Sequence, residues 1–176
     1  LIWIINSVSD IQQENKLRVT SFRAASTFDI DKVSHQDIVS RFGDDTTMFY
    51  LNVKKPVVTF YLNQPVKPAT VNSDSVTVKV NNTILSGAIA KTVTEQGSYQ
   101  EVSFPMYSVQ VDLTNISNLN KYAGQNVQII LSDKIMDNSG NTLQQCNTSY
   151  NIGECIEDSS GQKAKVYGAE LKLYSL

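Results

Sequence analysis

Asp133 and Asp137 stand four residues apart at the head of Asp137-Asn138-Ser139-Gly140-Asn141, where Asp and Asn oxygens could gather a hard cation such as calcium. A calcium loop of the EF type needs acidic groups at alternate positions and a bidentate Glu at its end, and neither is present here. A structural turn is the expectation. Asp137 should accept hydrogen bonds from its own downstream backbone, with Gly140 or Asn141 in the left-handed region. His35 is the single histidine, so any Ser-His-Asp or Cys-His chemistry must pass through it. It is flanked by Ser34, Gln36 and Asp37, and there is no G-x-S-x-G nucleophile elbow in the chain. The adjacent acids Asp44-Asp45 and Glu157-Asp158 could supply paired carboxylates for glycoside hydrolysis. Neighbours on a strand point to opposite faces, however, and in loops they are solvated. No phosphate-cradling glycine motif occurs, so no nucleotide cofactor is implied, and with no catalytic or metal-ligating constellation above background the chain is expected to be non-enzymatic, without cofactor or metal.

The two cysteines, Cys146 and Cys155, are nine apart in a polar segment, a spacing suited to a local disulfide. Reduced thiols are the alternative, and a zinc pair lacks the partners to complete four ligands. A disulfide would pin a surface loop and imply an oxidising address: extracellular, cell surface or periplasmic. Inside that loop Tyr150, beside Asn147 and Asn151, is the candidate contact group, because a tethered ring with flanking amides can engage a protein or a glycan.

These residues need a scaffold. The chain has 176 residues, 41% hydrophobic and 18% charged, with a formal net charge of -2. That length bounds one sizeable core and so a single domain over 1–176. The weak field disfavours nucleic acid, and the longest apolar run, Leu1 to Ile5, is far too short to span a bilayer. A removed targeting segment is compatible with the missing initial Met.

Leu17 to Ala24 alternates imperfectly as a half-buried strand, after an N-terminal extension over 1–16. Between Asp29 and Gly43 the period changes, with Ile30, Val33, Ile38, Val39 and Phe42 marking one short helix, capped by Asp29 or Asp31 and ended by Gly43. Strand character returns in Thr47 to Val53 and Val57 to Leu62. It continues in Ser75 to Val80, Ile84 to Val93, Ser98 to Phe104, Ser108 to Leu113, Asn126 to Leu131 and Lys165 to Tyr174. Asn81-Asn82, Gly97, Pro105, Gly124, Ser139-Gly140 and Gly161 read as the turns between them. The expected fold is all-β, an antiparallel Ig-like Greek-key sandwich of about 7–9 strands. The insertions fall at 29–46 and 144–163, within a core of 17–176. Lys165 to Tyr174 is expected to form an exposed edge open to another chain.

Pro65-Val66-Lys67-Pro68-Ala69-Thr70-Val71, after the aromatic strand Val57 to Leu62, resembles the element following the second strand in bacterial Ig-like domains of the S-layer SbsA type. Val127 to Leu143, with Ala123-Gly124 before it, resembles that family's penultimate strand and its D-x-x-G-N-x-L turn. The resemblance implies a secreted or cell-surface structural or adhesion module without catalysis, often one of several neighbouring domains, with another protein or a glycan as partner. The insertions at 29–46 and 144–163 and the extension over 1–16 depart from the pattern. An accessory carbohydrate-binding domain of an extracellular enzyme is the alternative, and would show exposed aromatics on one sheet face.

Overall fold

The structure, a computed structural model, describes residues 16–25, 36, 40, 49–143, 146, 154–157 and 165–175. Alternating β-branched and aromatic residues make most of its strands. In β3 (Val57–Leu62) Val58, Phe60 and Leu62 face inward; β4 (Val76–Val80) buries Val76, Val78 and Val80; β8 (Asn126–Leu131) buries Val127, Ile129 and Leu131. Burying every second side chain fixes the register, since a slip of one residue would turn each apolar set to water. Of the expected helix, Gln36 and Ser40 are described, and both are helical and exposed.

The strands form two sheets. One has four strands in the order β1-β3-β7-β6, with β1 at Val19–Ala24, β6 at Ile89–Tyr99 and β7 at Val102–Asp112. The other has six, in the order β2-β10-β8-β4-β5, with β2 at Phe49–Asn52, β5 at Thr83–Ile84 and β10 at Lys165–Tyr174; β9, at Cys155–Glu157, also pairs with β10. All pairings are antiparallel except that of β10 with β2. Inward residues of both sheets, Val58, Phe60, Val109 and Val111 from one and Val78, Ile129, Ala169 and Leu171 from the other, meet in one apolar cluster. The all-β expectation holds, as a two-sheet, sandwich-like arrangement.

The imperfect alternation of the first strand has a cause. Val19 pairs with Leu62 but Ser21 pairs with Tyr61, so one extra residue bulges between them and returns Phe22 to the inner face, opposite Phe60. The Phe22 ring lies 6.0 Å from Phe60 and 4.8 Å from Phe49.

Two expectations need correction. Lys165 to Tyr174 is not an edge: β8 covers one flank of β10, while β9 and then β2 cover the other. The sequence pattern showed a long apolar strand but not the short segments that close it off. Gly97 and Pro105, read as turns, lie inside β6 and β7, and the Ser98 to Phe104 segment instead contains a hairpin turn at Gln100-Glu101. Both turn residues adopt positive φ, 48° and 66°, as a two-residue hairpin of the primed type demands. Proline is tolerated in β7 because hydrogen-bonded pairs alternate from Tyr99↔Val102 onward, leaving Gln96↔Pro105 at a non-bonded site. Its ring nitrogen therefore faces the other flank, where β3 has already ended at Leu62, opposite Tyr107.

Candidate functional site

At the end of the sandwich where β3 and β8 terminate, the segment after β3 meets the segment after β8. Val66 bridges to Asp137, Lys67 donates its N–H to the Met136 carbonyl at 2.8 Å, and Met136 donates to the Thr70 hydroxyl at 3.3 Å. The Thr70 hydroxyl in turn donates to the Lys67 carbonyl at 2.7 Å. The two stretches singled out in the sequence thus lock one another.

Asp137 is the hub. Its Oδ1 accepts the N–H groups of Ser139 and Asn141, each at 2.9 Å, and its Oδ2 accepts the Asn141 amide at 3.0 Å. Gly140 takes φ of +87°, as the turn requires. Burial by itself would push the Asp137 carboxyl up. The Asn141 side chain and the N–H groups of Asn141, Ser139 and Gly140 outweigh it and hold the pKa below the ordinary carboxylate value. With both oxygens occupied by donors, the carboxylate serves the turn. Among the described residues, no group of three or more His, Cys, Asp or Glu side chains is placed to hold a metal ion.

Cys146 and Cys155 are joined as a disulfide, with Cα atoms 5.6 Å apart. Cys146 donates its N–H to the Lys165 carbonyl at 3.1 Å, and the Glu154 backbone carbonyl accepts from the Gly168 N–H at 2.8 Å, so both feet of the loop stand on β10. Gly168 is what permits this closeness: a Cβ there would run into the Ile129 carbonyl oxygen and the Ile156 side chain. Burial pushes the Glu154 carboxyl up, partly offset by a backbone hydrogen bond. Tyr150, Asn147 and Asn151 lie outside the described residues, as do His35, Asp44, Asp45 and Asp158.

The sequence reading missed the feature that reaches farthest. β6 and β7 are each 11 residues long, but β3 pairs with β7 only from Tyr107 to Asp112. Beyond Tyr107 the two strands run on as a ribbon past the end where β3 leaves its sheet. The pairs Tyr99↔Val102, Gly97↔Phe104, Glu95↔Met106 and Val93↔Ser108 alternate onto its outer face. Tyr99 is 70%, Val102 64% and Phe104 40% exposed. A Cβ on Gly97 would sit 2.5 Å from the Met106 sulfur and 2.7 Å from the Phe104 ring, so the missing side chain lets ring and sulfur lie flat across β6. Gln100-Glu101 lacks the Asn or Gly that usually announces a primed turn, and no unbroken apolar-polar alternation flanks it: Lys91 and Glu95 share a face with Val93 in β6, and the apolar parity changes at Met106-Tyr107 in β7.

On the outer face of the other sheet, Lys79, Asn81, Asn82, Asn126, Gln128 and Glu170 line a shallow groove of about 280 Å³. Asn81 donates to the Gln125 side-chain oxygen at 2.7 Å beside it. No helix among the described residues is long and apolar enough to cross a membrane. No protein-family model, curated protein or solved structure matches the chain.

Proposed function

We propose that the chain is an immunoglobulin-like Greek-key sandwich of the bacterial S-layer type. It acts outside the cytoplasm as a non-enzymatic structural or adhesion module, making its contacts through the hairpin end. The strand orders support the fold. β1-β3-β7-β6 reads as the A-B-E-D sheet of such domains and β10-β8-β4-β5 as G-F-C-C′, with β2 as the part of the first strand that crosses to the second sheet. The disulfide agrees with an extracellular, cell-surface or periplasmic address. Mutual locking of the Pro65 to Val71 and Asp137 to Asn141 segments fits their joint role as the family's signature.

The observation that carries the contact assignment is the cluster of Tyr99, Val102 and Phe104, three of the six large hydrophobic side chains exposed among the described residues, on one projecting ribbon. Apolar side chains held out on a rigid scaffold mark a contact site, and a ring with a hydroxyl, such as Tyr99, suits a surface that is wet when free. Arraying the purified chain on glycans and matrix proteins tests this. The Tyr99→Ser/Phe104→Ser variant should lose the captured ligand. Loss only in Cys146→Ser/Cys155→Ser would move the contact to the disulfide loop, and capture by neither the native chain nor the variants would remove the adhesion reading.

A carbohydrate-binding role draws on the polar groove, whose amides and charged ends could hydrogen-bond sugar hydroxyls. In the same array that reading requires a glycan hit abolished by Gln128→Ala and untouched by the hairpin variant.

A further inference from the structure

The free flank of β6 is built differently from every other sheet edge among the described residues. β5 has 2 residues, β9 has 3 and β2 has 4, β1 is bulged between Val19 and Ser21, and the outer flank of β7 beyond Tyr107 carries Pro105. Short strands, bulges, proline and charged side chains, Lys above all, are the devices that keep an edge from pairing with another chain. β6 has only the last, Lys91 and Glu95, and these carry opposite signs; its register with β7 runs without interruption from Ile89 to Tyr99. The alternation fixed by the hairpin turn sends the N–H and C=O groups of Ala90, Thr92, Thr94, Gln96 and Ser98 outward, away from β7. The Ser108 hydroxyl donates to the Val93 carbonyl at 3.3 Å, in keeping with the backbone groups of the intervening residues turning toward β7.

We infer that this edge pairs with the same edge of a second copy of the chain, antiparallel about a two-fold axis at Val93. Symmetry makes the patch its own partner, so complementarity must be internal to β6. It is. With Val93 at the centre, Thr92 forms a hydrogen-bonded pair with Thr94 of the second copy, and Ala90 with its Gln96, using the outward groups. The non-bonded pairs, where side chains come closest, join Lys91 to Glu95 of the second copy, twice by symmetry, and Val93 to its own equivalent. Ile89, 51% exposed, then faces Gly97 of the second copy, beside the Phe104 ring that lies over that glycine. The two four-stranded sheets become one continuous sheet. Shifting the axis to Thr94 would set Val93 against Glu95 and leave Lys91 opposite Gly97, and shifting it to Thr92 would set Val93 against Lys91 and Ile89 against Glu95. Charge complementarity therefore selects the Val93 register.

Sedimentation equilibrium of the chain alone, with no ligand added, tests the inference across the micromolar range. A concentration-dependent dimer is expected. Thr94→Pro removes an outward N–H while sparing the β7 ladder, and should leave a monomer whose circular dichroism melt still shows one folded transition. Lys91→Glu sets two like-charge pairs at the seam and should weaken association about tenfold or more, and Lys91→Glu/Glu95→Lys should restore it. Val93→Cys should cross-link to its own copy, because only a central non-bonded pair brings two equivalent β-carbons within disulfide reach. A monomer at all concentrations overturns the inference. So does a dimer indifferent to Thr94→Pro, or a charge swap that fails to recover association. Because no ligand enters the measurement, its failure is independent of the array result.

Discussion

Replacing Asp137 by alanine strips one carboxylate from three donors, the N–H groups of Ser139 and Asn141 and the Asn141 amide. Hydrogen bonds to a charged group contribute roughly 1.5–3 kcal/mol each when the donor would otherwise go unsatisfied. Ser139 and Asn141 are exposed, so water re-solvates much of what is lost, and the net cost comes to about 2–3 kcal/mol. For a chain of this length that lowers Tm by about 5–10 °C. Asp137→Asn keeps one acceptor oxygen but turns an NH2 toward the Asn141 amide, and should cost about 1–2 kcal/mol. The pH dependence separates this account from generic damage to a turn. The folded-state pKa of Asp137 lies below the ordinary value, so its contribution is present above the unfolded value and is lost as pH falls through the folded one. Urea melts of both chains at pH 7 and in steps toward pH 3 should therefore show the gap between wild type and Asp137→Asn closing in acid. An Asn variant within about 0.5 kcal/mol of wild type at pH 7, or a gap that stays constant into acid, would refute the reasoning.

Four further outcomes follow from other features. Cys146→Ser/Cys155→Ser opens a ring with a sequence separation of 9 and should cost about 2.5–3 kcal/mol in denaturant melts, in the chain-entropy account of cross-links. Gly168→Ala forces a methyl into the Ile129 carbonyl, which cannot yield without breaking the β8 to β10 ladder; a loss above about 3 kcal/mol or failure to fold is expected. Gly124→Ala, at a φ of +85° with open space around it, should lose only about 1 kcal/mol by the same measurement. Glu154 has a folded-state pKa raised chiefly by burial, so its favourable contribution is present below the unfolded value and is lost as pH rises through the folded one. Glu154→Gln should accordingly raise Tm at pH 7 and leave it unchanged near pH 4.

Much of the scaffold was legible because alternation and burial are the same physical fact. Val57 to Leu62, Ser75 to Val80 and Asn126 to Leu131 announced themselves, and so did the Asp137 turn, whose side chain supplies the hydrogen bonds locally. The Cys146 and Cys155 spacing likewise anticipated the bond that forms. What escaped were features set by distant partners. The extra residue in β1 is interpretable only opposite Leu62 and Tyr61, and whether β10 is an edge depends on β2, far earlier in the chain. Gly97 and Pro105 break strands when judged by type; they are harmless where a ring fills the glycine's place and no neighbour asks for the proline's N–H. That double exception hid the hairpin, and with it the exposed Tyr99, Val102 and Phe104.

The parallel pairing of β2 with β10 bears on how such a chain meets mechanical load. Phe49 lies opposite Leu171 and Asn52 opposite Tyr174, so the chain enters β2 at one end of the paired stretch and leaves β10 at the other. Tension drawn between those points slides the strands past each other and strains all their hydrogen bonds together, instead of peeling them apart rung by rung. Endurance under pulling follows the unfolding rate and not the equilibrium stability. Tyr50 and Tyr174, whose rings stand edge to face 6.5 Å apart on this ladder, would have to unpack before it slips. The β2 to β10 pair is thus a shear clamp for tension applied between Phe49 and Tyr174.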